Sequence, residues 1–263
     1  MRYDAGAPAY DRLVGRWSAL YATAALEAAG VKATDRVLDL ATGTGDAAIL
    51  ATVLVGSYGT AVGVDLSLPM LLIAKGKRSE ARLSFLAADA QALPFRDRTF
   101  DAVICLFGLM FFPDKVGALR GVRSLLRPGG RIALSVWGPS HNAPFAGIVA
   151  EVLAKELPTE REELLRPFAL ADPGVVENLL ATAGFSDVRI TREVRQARFV
   201  SVDDFWEPIE AGGGRLGQAY LGLPRNARAR VARDVREGVR GFSAEGQILM
   251  DLEAYIATGT ARQ

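Results

Sequence analysis

Apolar side chains recur at helical spacing across Tyr10–Ala29 (Leu13, Trp17, Leu20, Tyr21, Ala24, Ala25), and Gly30 follows as a helix stop. Short strands and helices then alternate. Arg36–Leu40 reads as a strand, followed by a glycine-bearing turn and an apolar helix over Asp46–Val55. Thr60–Asp65 is the next strand, and Ser67 is placed to cap a helix over Met70–Lys77. Leu83–Ala87 and Phe100–Leu106 are a third and a fourth strand, the fourth continuously apolar as a central parallel strand should be. A helix over Val116–Leu126 stops at Pro128-Gly129-Gly130, before a fifth strand over Arg131–Trp137. Such alternation predicts βαβ units around a parallel sheet covered on both faces.

The remainder departs from this rhythm. Helical segments near Phe145–Leu157 and over Val175–Ala183 lead through Gly184-Phe185 into a long strand-like run, Val188–Val200. A mostly helical stretch, Val202–Gly241, precedes a last strand over Gln247–Ala257. Two long strands without a crossover between them pair as antiparallel neighbours at a sheet edge. The expected fold is therefore α/β and doubly wound, with a seven-stranded, mostly parallel sheet whose last two strands are antiparallel. Residues 1–30 would form an N-terminal cap helix and 31–263 the main domain, with an insertion at about 202–241 lying over the sheet.

The 263 residues, 50% hydrophobic and 23% charged, suffice for a large core and are too apolar for disorder. Lys+Arg 31 against Asp+Glu 30 leaves +1, without the basic excess that nucleic-acid binding exploits, so no nucleic-acid partner is expected. The arginines of 225–240 alternate with Ala, Val and acids and read as a solvated helix face. A single cysteine, Cys105, excludes an intramolecular disulfide framework and a multi-cysteine zinc site, and no metal is expected. Met1-Arg2-Tyr3-Asp4 has an early acid and no apolar core, unlike a secretory signal. The longest strongly apolar run, Ala102–Phe112, is shorter than the roughly 20 residues that cross a bilayer. A soluble, cytoplasmic protein without a membrane partner is expected.

The chemistry gathers at strand ends, where open α/β sheets bind ligands. After the first strand comes Asp39-Leu-Ala41-Thr-Gly43-Thr-Gly45-Asp46, a loop whose glycines let backbone press against a ligand before a helix N-terminus. Asp65 follows roughly 20 residues on, where a carboxylate accepts from ribose hydroxyls. Gly43, Gly45 and Ala48 also satisfy the dinucleotide pattern, so these two features indicate an adenosine-containing cofactor without saying which. The third strand closes on Asp89-Ala90-Gln-Ala-Leu-Pro94-Phe95, the fourth ends Cys105-Leu106, and Leu126-Arg-Pro128-Gly129-Gly130 precedes the fifth.

In this order and spacing the set resembles the class I S-adenosylmethionine methyltransferases. It is similar above all to the small-molecule branch containing the ubiquinone/menaquinone-biosynthesis methyltransferases, from about Tyr10 to the C-terminus. The resemblance implies a Rossmann-like methyltransferase fold and transfer of a methyl group from S-adenosyl-L-methionine to a small-molecule acceptor, with S-adenosyl-L-homocysteine as product. It implies that Asp39, Ala41, Gly43 and Gly45 line the methionine part and that Asp65 holds the ribose, with Leu66 and Met70 flanking the adenine. Asp89 would accept from the adenine amino group, Ala90 would present a backbone amide, and Leu106 would sit beside the methionyl end. Ala41-Thr42 stands where the family usually has Gly-Cys, both small.

Tyr10–Ser18 is similar to the cap helix of this branch, with Tyr10 facing the site and Arg16 either a fork for the cofactor carboxylate or a surface charge. Asp39 either contacts the cofactor or caps the loop's amides, and the two roles are compatible. Trp17, Phe107, Met110 and Trp137 are candidate walls of a substrate pocket, set against a plain core role, while Cys105 reads as a buried apolar filler. His141, the only histidine, lies just past the fifth strand and is the candidate general base.

Two other functions use the same loop. An NAD(P)-dependent oxidoreductase would employ Asp65 identically, but the Tyr-x-x-x-Lys pair common in short-chain dehydrogenases is absent. A cofactor-binding regulatory pseudo-methyltransferase would keep the loop and the acids without turnover. The fourth strand ends Cys-Leu-Phe-Gly, not in the Asn/Asp-Pro-Pro-Tyr/Phe of amine-methylating enzymes.

Overall fold

The computed structural model describes residues 6–78 and 81–262. The start Met1–Asp4 and the first five residues of the expected cap lie outside the described residues.

Five strands run parallel in the order β3 (Leu83–Ala87), β2 (Thr60–Asp65), β1 (Arg36–Leu40), β4 (Phe100–Leu106) and β5 (Leu126–Trp137). Their chemistry explains the order: Val37, Leu38 and Leu40 of β1 and Val103, Ile104 and Cys105 of β4 are buried on both faces, as central parallel strands require. Beyond β5 lie β8 (Gln247–Ala261) and then the edge strand β6 (Phe185–Phe199). These two pair antiparallel from Phe185↔Ala261 to Phe199↔Ile248, and β8 also runs against β5. Both are longer than the periodicity predicts at the end beside the start of β5, where Thr258–Thr260 pair with Arg131–Ala133 and Phe185 meets Ala261; their other ends rise beyond Trp137, where β5 stops.

An eighth strand escapes the sequence reading. β7 (Ser243–Ala244) folds onto the start of β8 through Glu245-Gly246, both with positive φ (51° and 78°). Two left-handed residues in a two-residue loop make a type I′ hairpin, but Glu at its first position hides the usual Asn-Gly signal. β5 also begins earlier than expected: Leu126 pairs with Phe100 directly after the helix Lys115–Leu125, and the register shifts between Phe100 and Ala102. Pro128-Gly129-Gly130 thus sits within the strand, not before it.

The two sheet faces are packed differently. One is lined by small residues (Ala47, Ala48, Ala51, Ala61, Ala102, Ala133), so the helices Ala22–Ala28 and Asp46–Val55 approach closely. The other core is built from larger side chains and continues upward into an aromatic cluster. There Phe107 stacks on Trp137 with centroids 3.7 Å apart and planes at 14°, and Tyr21 meets both rings edge-on. The Tyr21 hydroxyl donates to the Leu252 carbonyl at 2.5 Å, which fastens the N-terminal run to β8.

That N-terminal run is not one regular helix. It passes from Ala7–Tyr10 through a π turn at Asp11–Gly15, then Arg16–Ser18 and a 3₁₀ turn at Ala19–Tyr21, into Ala22–Ala28. The stretch 202–241 forms three helices, Val202–Glu210, Gly214–Gly222 and Arg225–Arg240. Arg225–Arg240 buries Ala227, Val231, Val235 and Val239 along one stripe, while Arg230 and Arg236 pair with Glu156 and Asp203, which accounts for its arginines as a solvated face. Among the described residues no helix is long and apolar enough to cross a membrane.

Candidate active site

The loop between β1 and the helix Asp46–Val55 must reverse direction in five residues. It does so through three left-handed positions, Ala41 (φ 56°), Gly43 (φ 55°) and Gly45 (φ 87°). Two of the three are glycines, which adopt this backbone freely; Ala41 bears the strain of a side chain there, about 1–2 kcal/mol. Its methyl sits against Gly108, where a Cβ would come within 2.6 Å of it, so the β4 turn must be bare for β1's alanine to fit.

Asp65, at the tip of β2, binds this loop from the side. Its Oδ2 accepts the Gly43 N–H at 2.8 Å and its Oδ1 the Ser67 N–H at 2.8 Å. The carboxylate is thereby aimed by two backbone donors on opposite sides. The Ser67 hydroxyl accepts from the Met70 N–H at 3.5 Å, as expected of a helix cap. Leu66 is 63% exposed beside it, whereas Met70 is buried beneath. On the neighbouring strand tip, the exposed Asp89 accepts the Gln91 N–H at 2.9 Å, so it shapes the turn that carries Ala90.

Asp39 lies under the loop, 1% exposed, with the Thr42 hydroxyl donating to its Oδ2 at 2.5 Å. Burial disfavours its charge more than that hydrogen bond helps it, and its pKa rises to about 7. The donors that steady it are the Thr42 hydroxyl and the backbone N–H of Ala48 in the helix that follows the loop. Cys105 lies close by, its thiol pushed up to about 12 by burial and by the charge of Asp39, as befits an apolar filler.

The N-terminal run closes over the loop. Tyr10, Gly15, Ser18 and Ala19 face Asp39, Ala41, Gly43 and Leu106 across a cleft of about 30 Å³, space for a water molecule. A latch holds it shut: the Thr44 hydroxyl donates to Asp11 Oδ1 at 2.5 Å, and Lys77 Nζ reaches Asp11 at 2.6 Å and both oxygens of Asp46 at 2.9 Å. Thr42, Thr44, Asp46 and Lys77 were not foreseen. The partners of Lys77 lie 31 to 66 residues away in sequence and no local pattern joins them.

Four expectations change. Gly45 does not line the cleft; a Cβ there would meet Ala74 at 2.6 Å and Phe85 at 3.0 Å, so it is bare to let helix and strand pack. Arg16 turns away from the loop, stacking on Trp17 at 4.2 Å and donating to the Arg198 carbonyl at 3.1 Å and to Asp204 at 3.5 Å. Trp17, Phe107, Met110 and Trp137 are at most 6% exposed and are core, because the aromatic cluster closes on itself beneath the N-terminal run. His141 opens onto another groove, with Arg192, Asp251 and Glu253. Those strand residues alternate with Leu252 and Ala254, which face the aromatic core, so His141 stands on the opposite side of the β6–β8 hairpin from the glycine loop.

Comparison with known proteins agrees with this geometry. The model of the ubiE/COQ5 methyltransferase family matches residues 16–143, from Arg16 through the β5 loop. The demethylmenaquinone methyltransferase of Thermus thermophilus is 36% identical over 202 residues, 68% of this chain and 89% of that protein. The chain belongs to the ubiE/COQ5 methyltransferase family. The ubiquinone/menaquinone biosynthesis C-methyltransferase UbiE of Cellvibrio japonicus is 36% identical over 136 residues, 50% of this chain; the chain spans about half, 55%, of that relative's length. In fold, the chain is similar to a methyltransferase structure from Bacillus halodurans, with a TM-score of 0.62 at 18% identity, covering 92% of this chain and 99% of that one. Within the ubiE/COQ5 match lie Asp39, the glycine loop, Asp65, Asp89 and Leu106, whereas β6, β8 and the helices between them lie outside it.

Two outcomes follow from the loop. Gly45→Ala should lower unfolding free energy by about 3 kcal/mol, from clash added to left-handed strain. Gly43→Ala, where a Cβ meets nothing within 4 Å, should cost only the strain, about 1 kcal/mol; chemical denaturation measures both. Asp39 retains a proton in the folded chain between its ordinary 3.8 and about 7, where the unfolded chain has lost it. Its contribution to stability therefore falls as pH rises through that window. Melting temperatures of Asp39→Asn relative to the parent should climb from pH 4 to 7, and a flat difference would refute the buried, protonated carboxyl.

Proposed function

We propose that this chain transfers the methyl group of S-adenosylmethionine to a small-molecule acceptor by in-line displacement. The observation that supports this most is the aimed Asp65 carboxylate, bonded to the glycine loop beside an exposed apolar residue, Leu66. The residues present suit the cofactor. Gly43 leaves its outer side bare, so backbone can lie against a ligand there, and the N-terminus of the helix Asp46–Val55 opens toward the same cleft.

S-adenosylmethionine supplies an electrophilic methyl on sulfur and leaves as the neutral thioether S-adenosylhomocysteine. The chain's part is to bind, align and exclude water. Asp65 would accept from the ribose hydroxyls, Leu66 would cover the adenine with Met70 beneath it, and Asp89 and Ala90 would meet the edge of the base. Ala41, Gly43 and Leu106 would border the methionine portion, with Tyr10 above. The cleft is water-sized while the Asp11–Thr44–Lys77 latch is closed, so admission of the cofactor requires the N-terminal run to swing outward. The helices of 202–241 would act as the acceptor lid, hinged to the N-terminal run through Arg16 and Asp204. Because relatives are named for ubiquinone/menaquinone biosynthesis and for demethylmenaquinone, compounds of that class are the first acceptors to test, and a cytoplasmic location accords with the reading.

Calorimetric titration with S-adenosylhomocysteine should show affinity lowered by about tenfold or more in Asp65→Ala, as loss of charge-assisted hydrogen bonds implies. Labelled-methyl transfer should appear with the parent on quinols or phenols; binding of NADH instead of S-adenosylhomocysteine would overturn the assignment. Exchanging 202–241 for the corresponding segment of a relative should move acceptor preference while cofactor affinity stays put; unchanged preference would remove the lid role.

A further inference from the structure

An opening of about 400 Å³ lies outside the glycine-loop cleft. It is a groove on the outer face of the raised part of the β6–β8 hairpin, closed at one end by the loop carrying His141 and at the side by Phe242. Its floor holds a fixed ion pair. Glu253 is 5% exposed, and its Oε2 accepts from Arg192 Nε at 2.8 Å, Arg192 Nη2 at 2.6 Å and Asn142 Nδ2 at 3.2 Å. Its Oε1 accepts the Tyr255 hydroxyl at 2.8 Å.

Glu253 is thus fully provided with donors, but Arg192 is not fully provided with acceptors. One edge of its guanidinium is spent on Glu253. The end-on edge, with one hydrogen each from Nη1 and Nη2, meets no acceptor among the described residues, and the side chain is 62% exposed. A guanidinium held this way loses little further freedom on binding a second carboxylate in a forked manner. Val194 and Leu249 give the groove an apolar bed, and between them along the hairpin Asp251, opposite Gln196, has a 3.4 Å contact from that side chain.

We infer that this groove is a second small-molecule site, separate from the glycine-loop cleft, which takes a compact carboxylate on the free edge of Arg192. The apolar body of the ligand lies on Val194, Leu249 and Phe242, and a cationic substituent on it gains from Asp251. Two features set the site apart: its residues face away from the aromatic core, and most of them lie beyond the family match, which ends at 143.

The lone histidine lines the groove and makes a single-resonance reporter. Titration of the full chain with benzoate, and with 4-(aminomethyl)benzoate, at constant pH should shift the His141 Hε1 signal to saturation. Arg192→Lys retains a charge for Glu253 but loses the fork, and should weaken both probes by about tenfold or more. Gln196→Trp, at an exposed position, should fill the groove and abolish both shifts. Asp251→Asn should weaken only the ammonium-bearing probe. Absence of a saturable shift, or shifts that Arg192→Lys and Gln196→Trp leave unchanged, would overturn the site. So would competition between benzoate and S-adenosylhomocysteine, which would place the signal in the glycine-loop cleft; a failure to bind S-adenosylhomocysteine alone would instead count against the methyltransferase reading.

Discussion

The hydrogen bond from the Gly43 amide to the Asp65 carboxylate is the join on which the site's geometry depends. It ties the tip of β2 to the reversal after β1, 22 residues earlier, at the middle of three alternate left-handed positions, Ala41, Gly43 and Gly45. A backbone amide that would otherwise face water becomes an anchor, and the carboxylate acquires a fixed direction before any ligand arrives. Preorganisation of this kind is what a transfer reaction with a good leaving group asks of a protein: alignment, not bond-making side chains.

The small residues around that join are bare for different reasons. Gly45 is squeezed between Ala74 and Phe85 and serves packing, whereas Gly43 faces open space and serves access. Gly63 belongs with the first group, since a Cβ there would meet Phe85 at 2.7 Å and the Thr42 hydroxyl at 2.8 Å. Ala41 and Gly108 form a reciprocal pair in which one strand end has a methyl because the other has none. A glycine motif thus mixes residues that touch a ligand with residues that let elements close up behind it.

The two buried carboxylates show how surroundings decide charge. Asp39 and Glu253 are almost equally hidden, at 1% and 5% exposure. Asp39 has the Thr42 hydroxyl and the Ala48 amide as donors but carboxylates, not a cation, as its charged neighbours, and burial lifts its pKa to about 7. For Glu253 burial acts in the same sense but is outweighed by Arg192 and Tyr255, which hold its pKa below the usual carboxylate range. One is thereby suited to a dry bed under the loop, the other to anchoring a guanidinium at a wet edge.

The alternation of strands and helices, the strand-tip acids, the glycine reversal and the Ser67 cap were all legible from sequence, because each rests on local period, turn chemistry or short spacing. Even the antiparallel terminal pair followed from the missing crossover. What needed the tertiary structure was direction and partnership. Only packing decides that Arg16 turns toward Asp204, that Gly45 faces Phe85, that the candidate pocket aromatics bury one another, and that His141 falls on the far side of a hairpin. The Lys77 latch and the Arg192–Glu253 pair join residues 31 to 66 and 61 positions apart, across elements whose rotation no linear pattern encodes. Local chemistry writes the elements and their tips; the angle at which they meet assigns the side chains their partners.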